Sequence, residues 1–130
     1  MMYDFVWYFV FKKSSKKFVS CNFFIIHLYI YMRSKYTIEF EKKYGEKLEN
    51  KRLPTLARFF NIKKKLLNDV FDRGVGAYRT NPSSVRKGVT SEEQWAMARL
   101  YKFILNVENK RQNKPYPTGR GHDSDLVDLA

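Results

Sequence analysis

The sequence predicts a mainly α fold, a small single domain of two principal amphipathic helices plus a shorter N-terminal helix, with a long ordered basic loop between the principal pair. Three observations predict it. Apolar residues recur at helical spacing over two long stretches; helix-start signals, Pro54 and Thr90 to Gln94, precede both; and the stretch between them gathers glycine, proline and arginine. At 130 residues there is room for one domain.

Residues 1–31 differ in composition from the rest. They contain no Gly, Ala, Arg, Pro, Glu, Gln or Thr, whereas residues 32–130 hold 24 Gly, Ala, Arg and Pro. The missing types have GC-rich codons and the abundant ones AT-rich codons. The expectation is that Met32 is the true start and that 1–31 is a hydrophobic extension translated from upstream sequence. The rival reading is a membrane anchor. The apolar run from Phe18 to Met32 follows Lys12, Lys13, Lys16 and Lys17, but at 15 residues it is short of the roughly 20 that a spanning helix needs. A third reading is a hydrophobic strand or helix packed on the domain. Bulky Leu28 to Tyr31 leave no small-residue cleavage site for a signal peptide.

From residue 32 onward the elements follow in order. Residues 36–49 read as a helix, with Ile38, Tyr44 and Leu48 near helical spacing and Glu39–Lys43 as an i, i+4 pair. A second helix is expected over 55–73. Leu56, Phe59, Phe60, Leu66, Leu67, Val70 and Phe71 form its stripe, and Ile62 lies beside it. Lys63, Lys64 and Lys65 interrupt that helix, and at about 100° per residue one of them must snorkel past the apolar stripe. Gly74 sits where a C′ glycine would end it.

The central stretch from Arg73 to Arg86 then reads as a basic loop suited to anions. Gly74 and Gly76 free the backbone to turn its N–H groups outward, and Arg73, Arg79 and Arg86 supply planar donors for phosphate. Asn81 before Pro82 starts a turn. The plainer reading makes the arginines a solvated surface. The pattern is neither a dinucleotide fingerprint nor a Walker loop, since the third glycine and the Gly-Lys-Ser/Thr are both missing.

Thr90 with Glu93, and Ser91 with Gln94, offer two overlapping capping boxes for a helix over 91–109. Ala98 would permit close approach of a neighbour. Trp95, Tyr101 and Phe103 are expected to pack on Phe59, Phe60 and Phe71, with base stacking as the alternative use of those rings. Residues 110–121 read as a flexible basic linker. In the acidic tail, 122–130, the aspartates are expected to dock on the loop arginines, with Leu126 and Leu129 entering a groove.

Charge and composition bound the function. The chain carries 25 Lys and Arg against 13 Asp and Glu, and the surplus persists beyond residue 32, where the counts are 21 and 12. Such a surplus favours acidic partners. Cys21 stands alone, so no disulfide or cysteine zinc site forms within one chain, and His27 and His122 are too few for a catalytic metal cluster. Enzyme readings are weak: Tyr78, Ser83, Ser84, His122 and Asp123 have no spacing that enforces a catalytic set. The site expected is a non-enzymatic, cofactor-free one. It would hold nucleic-acid phosphates through Arg73, Gly74, Gly76, Arg79, Asn81, Arg86, Arg99, Lys63, Lys64 and Lys65. The alternatives are a structural protein contacting an acidic protein partner, or a small membrane-anchored protein if residues 1–31 are made.

The strings from Ala57 to Phe60, Val70 to Arg86 and Gln94 to Arg99, and Asp123 to Leu126, resemble a functionally uncharacterised domain family of marine bacteriophages and large DNA viruses of algae. Its core is Gly-x-Gly-Ala-Tyr-x-Thr-Asn-Pro-x-Ser-Val-Arg, here Gly74 to Arg86. The resemblance covers roughly 55–129 and is expected to stop short of Met32. It implies a viral or virus-derived origin, and hence a place in the virion or the infected host cell, and brings no established reaction, cofactor or ligand.

Overall fold

A computed structural model describes residues 33–119 and 121–130. The readings of residues 1–31 lie outside the described residues. The described chain is helical, with α1 Lys35–Tyr44, α2 Leu53–Phe60, α3 Lys64–Thr80, a 3-10 turn at Pro82–Ser84, α4 Glu92–Arg111 and α5 Ser124–Leu129. The mainly α, single-domain expectation holds.

The domain is built on α3 and α4, which run antiparallel: Gly74 packs on Ala96, Arg79 reaches Glu92, and Arg111 reaches back to Phe60 and Asn61 at the head of α3. Close approach explains Gly74. A Cβ placed there would stand 2.7 Å from the Ala96 Cα, so the two backbones touch where side chains would hold them apart. Gly74 therefore does not end a helix, and the small residue opposite it is Ala96, not Ala98. The basic loop expected over 73–86 is mostly helix, since α3 continues to Thr80 and only the 3-10 turn and residues 85–91 connect it to α4.

The single helix expected over 55–73 is two. Asn61 adopts the left-handed conformation (φ 50°), its N–H donating to Arg58 O, while Ile62 N–H donates to Ala57 O at 3.0 Å. That is a Schellman ending with asparagine at the left-handed position. Breaking the helix buries Ile62 and leaves Lys63, Lys64 and Lys65 in water, which removes the conflict between three ammonium groups and an apolar stripe. Arg111 donates to Phe60 O and, at 3.1 Å, to Asn61 O, satisfying carbonyls that the break exposes.

The core lies where α1 and α2 close over the α3–α4 pair. Phe40 is fully buried and stacks on Tyr101 with centroids 4.4 Å apart, and Tyr44 meets Phe60 edge-on at 4.8 Å. These aromatic partners come from α1, which ends at Tyr44 rather than at residue 49. Phe59, expected inside, is 43% exposed and meets Tyr44 and Phe60 from the rim, and Trp95 is only half-buried. Of the two capping boxes the fold uses Ser91, whose hydroxyl accepts from Gln94 N–H at 3.1 Å; Gln94 Oε1 accepts from Thr90 N–H. Among the described residues no helix is long and apolar enough to cross a membrane.

Candidate functional site

Polar side chains of α4 tie down the C-terminal segment. Arg99 grips Asp123 with two parallel bonds of 2.8 Å, Lys102 donates to Gly121 O at 2.8 Å, and Lys110 reaches Asp128 at 3.0 Å. From α3, Arg73 adds bonds to Asp123 at 3.1 Å and to Asp125 at 2.7 and 3.0 Å. Burial alone would raise the Asp123 carboxyl, but the hydrogen bonds from Arg99 and Arg73 outweigh it and hold it below the usual carboxylate range. The tail therefore docks on one arginine of the central stretch, Arg73, as expected, and on Arg99 of α4, which lies outside that stretch; Arg79 takes no part. Leu126 is buried, whereas Leu129, expected in a groove, is 66% exposed.

Beside this tie, α1, the 85–89 connection and the first turns of α4 enclose a cleft of about 790 Å³. Six cations border it, Arg33, Lys35, Lys51, Arg86, Arg99 and Lys102, against the single carboxylate of Glu41. Glu41 accepts from both Arg33 and Lys51. Burial pushes its carboxyl up, yet those two partners prevail and keep it ionised below its ordinary range. Burial also lowers the Lys102 ammonium, which stands 5.6 Å from the Tyr36 ring centroid, with Lys35 Nζ at 4.9 Å from the same ring. Tyr101 forms part of the wall, its phenol pushed up to about 12 by burial and the charge of Glu41. Trp95, Met97 and Ala98 supply apolar wall, and Ser34, Thr37 and Ser84 supply hydroxyls. A concave, partly apolar space with convergent polar groups is the usual form of a ligand site.

The ten residues expected to bind phosphate do not converge. Arg86 and Arg99 border the cleft. Arg73 is paired with Asp123 and Asp125, and Arg79 with Glu92 at 2.7 and 2.8 Å; both side chains stay exposed on the helical surface of α3, but their guanidinium groups already hold carboxylates and neither borders the cleft. Gly74 is packing against Ala96, and Gly76 lies on the exposed side of α3 with nothing near it. Asn81 closes α3 and shapes the 3-10 turn, accepting from Ser83 at 2.9 Å and Ser84 at 2.8 Å. Lys63, Lys64 and Lys65 are exposed at the α2–α3 corner and do not line the cleft; Lys63 and Lys65 edge a smaller groove with Leu126 and Leu129. Sequence reasoning missed Arg33, Lys35, Lys51 and Lys102. The available signal was the basic-aromatic run Arg33 to Tyr36, which leads into the first turn of α1. Among the described residues no cluster of three or more His, Cys, Asp or Glu is placed to hold a metal ion.

The class these features define is a small helical domain on an antiparallel helix pair, with a basic, aromatic-walled cleft beside the start of α4. Residues 26–126 match the Family of unknown function (DUF5824), and the chain belongs to that family. The match begins at residue 26, which corrects the expectation that the resemblance stops short of Met32. No curated protein and no solved structure matches the chain.

Proposed function

We propose that the domain binds nucleic-acid phosphates in this cleft, as a module without chemistry of its own. The observation that carries the reading is the charge of the lining: six cations and one carboxylate border a space of ligand size, with Glu41 engaging Arg33 and Lys51, and Asp123, outside the lining, engaging Arg99. Lys35 has no carboxylate partner among the described residues, and the Lys102 ammonium donates to the Gly121 carbonyl, lies near the Tyr36 ring and feels the Asp123 charge without bonding to it. The exposed Lys63, Lys64 and Lys65 add to the attracting field without joining the site. A viral origin, which the resemblance of Gly74 to Arg86 supports, would place the ligand in the virion or the infected cell.

The test is salt. Binding of a labelled oligonucleotide, followed by anisotropy, should weaken steeply between roughly 50 and 200 mM salt. Replacing Lys35 or Arg86 with alanine should each flatten the log–log slope by about 0.7 for a single strand. A flat profile would reject the proposal. Retention of a cellular partner after nuclease treatment would instead favour an acidic protein.

A further inference from the structure

We infer that the cleft takes single-stranded rather than duplex nucleic acid, seating one base against the indole of Trp95 while the neighbouring phosphates meet the surrounding cations. This rests on the reading of the cleft as a nucleic-acid site. Three observations carry it.

First, the cleft is concave and encloses about 790 Å³, room for a nucleotide or two. A duplex is read by elements that project into its grooves, and its stacked bases cannot enter a hollow of this size. A single strand can turn a base out into it.

Second, Trp95 borders the cleft half-buried, and among the described residues no ring stacks on its indole and no cation sits over its face. The other large rings at this junction are engaged: Tyr101 stacks on Phe40, and Tyr36 lies under Lys35 and Lys102. An indole without a ring partner, on the apolar wall of a cleft bordered by cations, has the makings of a stacking platform, and base–aromatic stacking is the interaction that single strands offer and duplexes withhold.

Third, cations and ring share one wall system. Trp95 stands on the first turn of α4, Arg99 and Lys102 on the next two turns, and Arg86 on the connection just before it. A strand laid along that wall meets guanidinium, indole and ammonium groups in succession, as a charged groove with interleaved stacking requires.

The experiment compares three competitors against one labelled oligothymidylate on the full chain: the unlabelled single strand, a duplex of equal length, and inorganic polyphosphate. The single strand is expected to compete at least about tenfold better than the duplex. Trp95→Leu, which keeps apolar volume but removes the π-face, should lose about 5- to 100-fold in affinity for the single strand. It should leave polyphosphate competition unchanged, which also shows that the variant is folded and its cations are in place. Trp95→Phe should recover most of the loss. Equal affinity for single strand and duplex, or a preference untouched by Trp95→Leu, overturns this inference while leaving the nucleic-acid reading standing. Absence of salt-dependent binding to any of the three overturns both.

Discussion

Asp123 shows how one residue can hold a tail in place. Its carboxylate is almost fully buried, adopts a left-handed backbone (φ 52°), and is shared between Arg99 and Arg73. Because its folded pKa lies below the unfolded value, the stabilisation is complete above the ordinary aspartate pKa and is lost as pH falls through the folded one. Asp123→Asn tolerates the same backbone but removes the charge, and should cost about 1–3 kcal/mol at neutral pH, read from urea midpoints. Its stability should also decline less steeply on acidification than that of the wild type, with Glu41, Asp125 and Glu92, each held below its ordinary range by basic partners, supplying the remaining acid limb. A parallel acid limb in both proteins would show that Asp123 is not ionised in the native state. The two α3 glycines make a second residue-scale pair with opposite signs. At Gly74 an added Cβ meets backbone at 2.7 Å, so Gly74→Ala should destabilise by roughly 1–3 kcal/mol despite alanine's better helix propensity. At Gly76 nothing lies within 4 Å, so Gly76→Ala should stabilise by about 0.5–1 kcal/mol. Thermal melts of the two variants moving in the same direction would contradict the packing described.

At the scale of elements, the decisive feature is the corner between α2 and α3. Periodicity alone runs the apolar stripe straight through it, since Phe60 and Leu66 suit one helix as well as two. The break is set by Asn61 in the left-handed region and by Ile62, which closes the Schellman bond and enters the core. Asn61→Gly should therefore be neutral or slightly stabilising. Asn61→Ala should cost about 1 kcal/mol, because a Cβ is disfavoured at positive φ and alanine has no side-chain amide to compensate. Equal stability of the two variants in denaturant would mean the corner is not held by that conformation. The same logic separates α3 from the loop that composition suggested. Two glycines in three positions look like a turn until a neighbouring helix is seen to require the first of them as a point of contact.

At the scale of the whole molecule, the C-terminal segment is part of the structure that borders the cleft. Gly121 contributes to its wall and anchors Lys102, and Arg99 is oriented by Asp123. Removing residues 122–130 uncovers the sites of Leu126 and Val127 and frees both arginines. The loss should be about 3–6 kcal/mol from the apolar burial alone, measured as a fall in melting temperature. An unchanged melting temperature would show that the tail does not dock. If the truncated chain still folds, its oligonucleotide affinity should change as well, because Arg99 loses the partner that fixes its position.

What the sequence determined by itself was local: the helical class, the start of α4 at its Ser91 cap, the basic balance and the acidic character of the tail, all consequences of propensity, capping and charge read over a few neighbouring positions. It also marked Arg86 and Arg99, which do border the cleft, together with Arg73 and Arg79, which do not. Nothing local separates these pairs, and neither does pairing, for Asp123 engages both Arg73 and Arg99; what separates them is which face of the helix pair each occupies. Only the tertiary structure decided which cations stay with the cleft, which glycine is a contact, and that Arg33, Lys35 and Lys51 join Lys102 across it. Those choices are set by long-range packing of α1 and α5 against one helix pair, and a linear pattern carries no record of distances between residues so far apart.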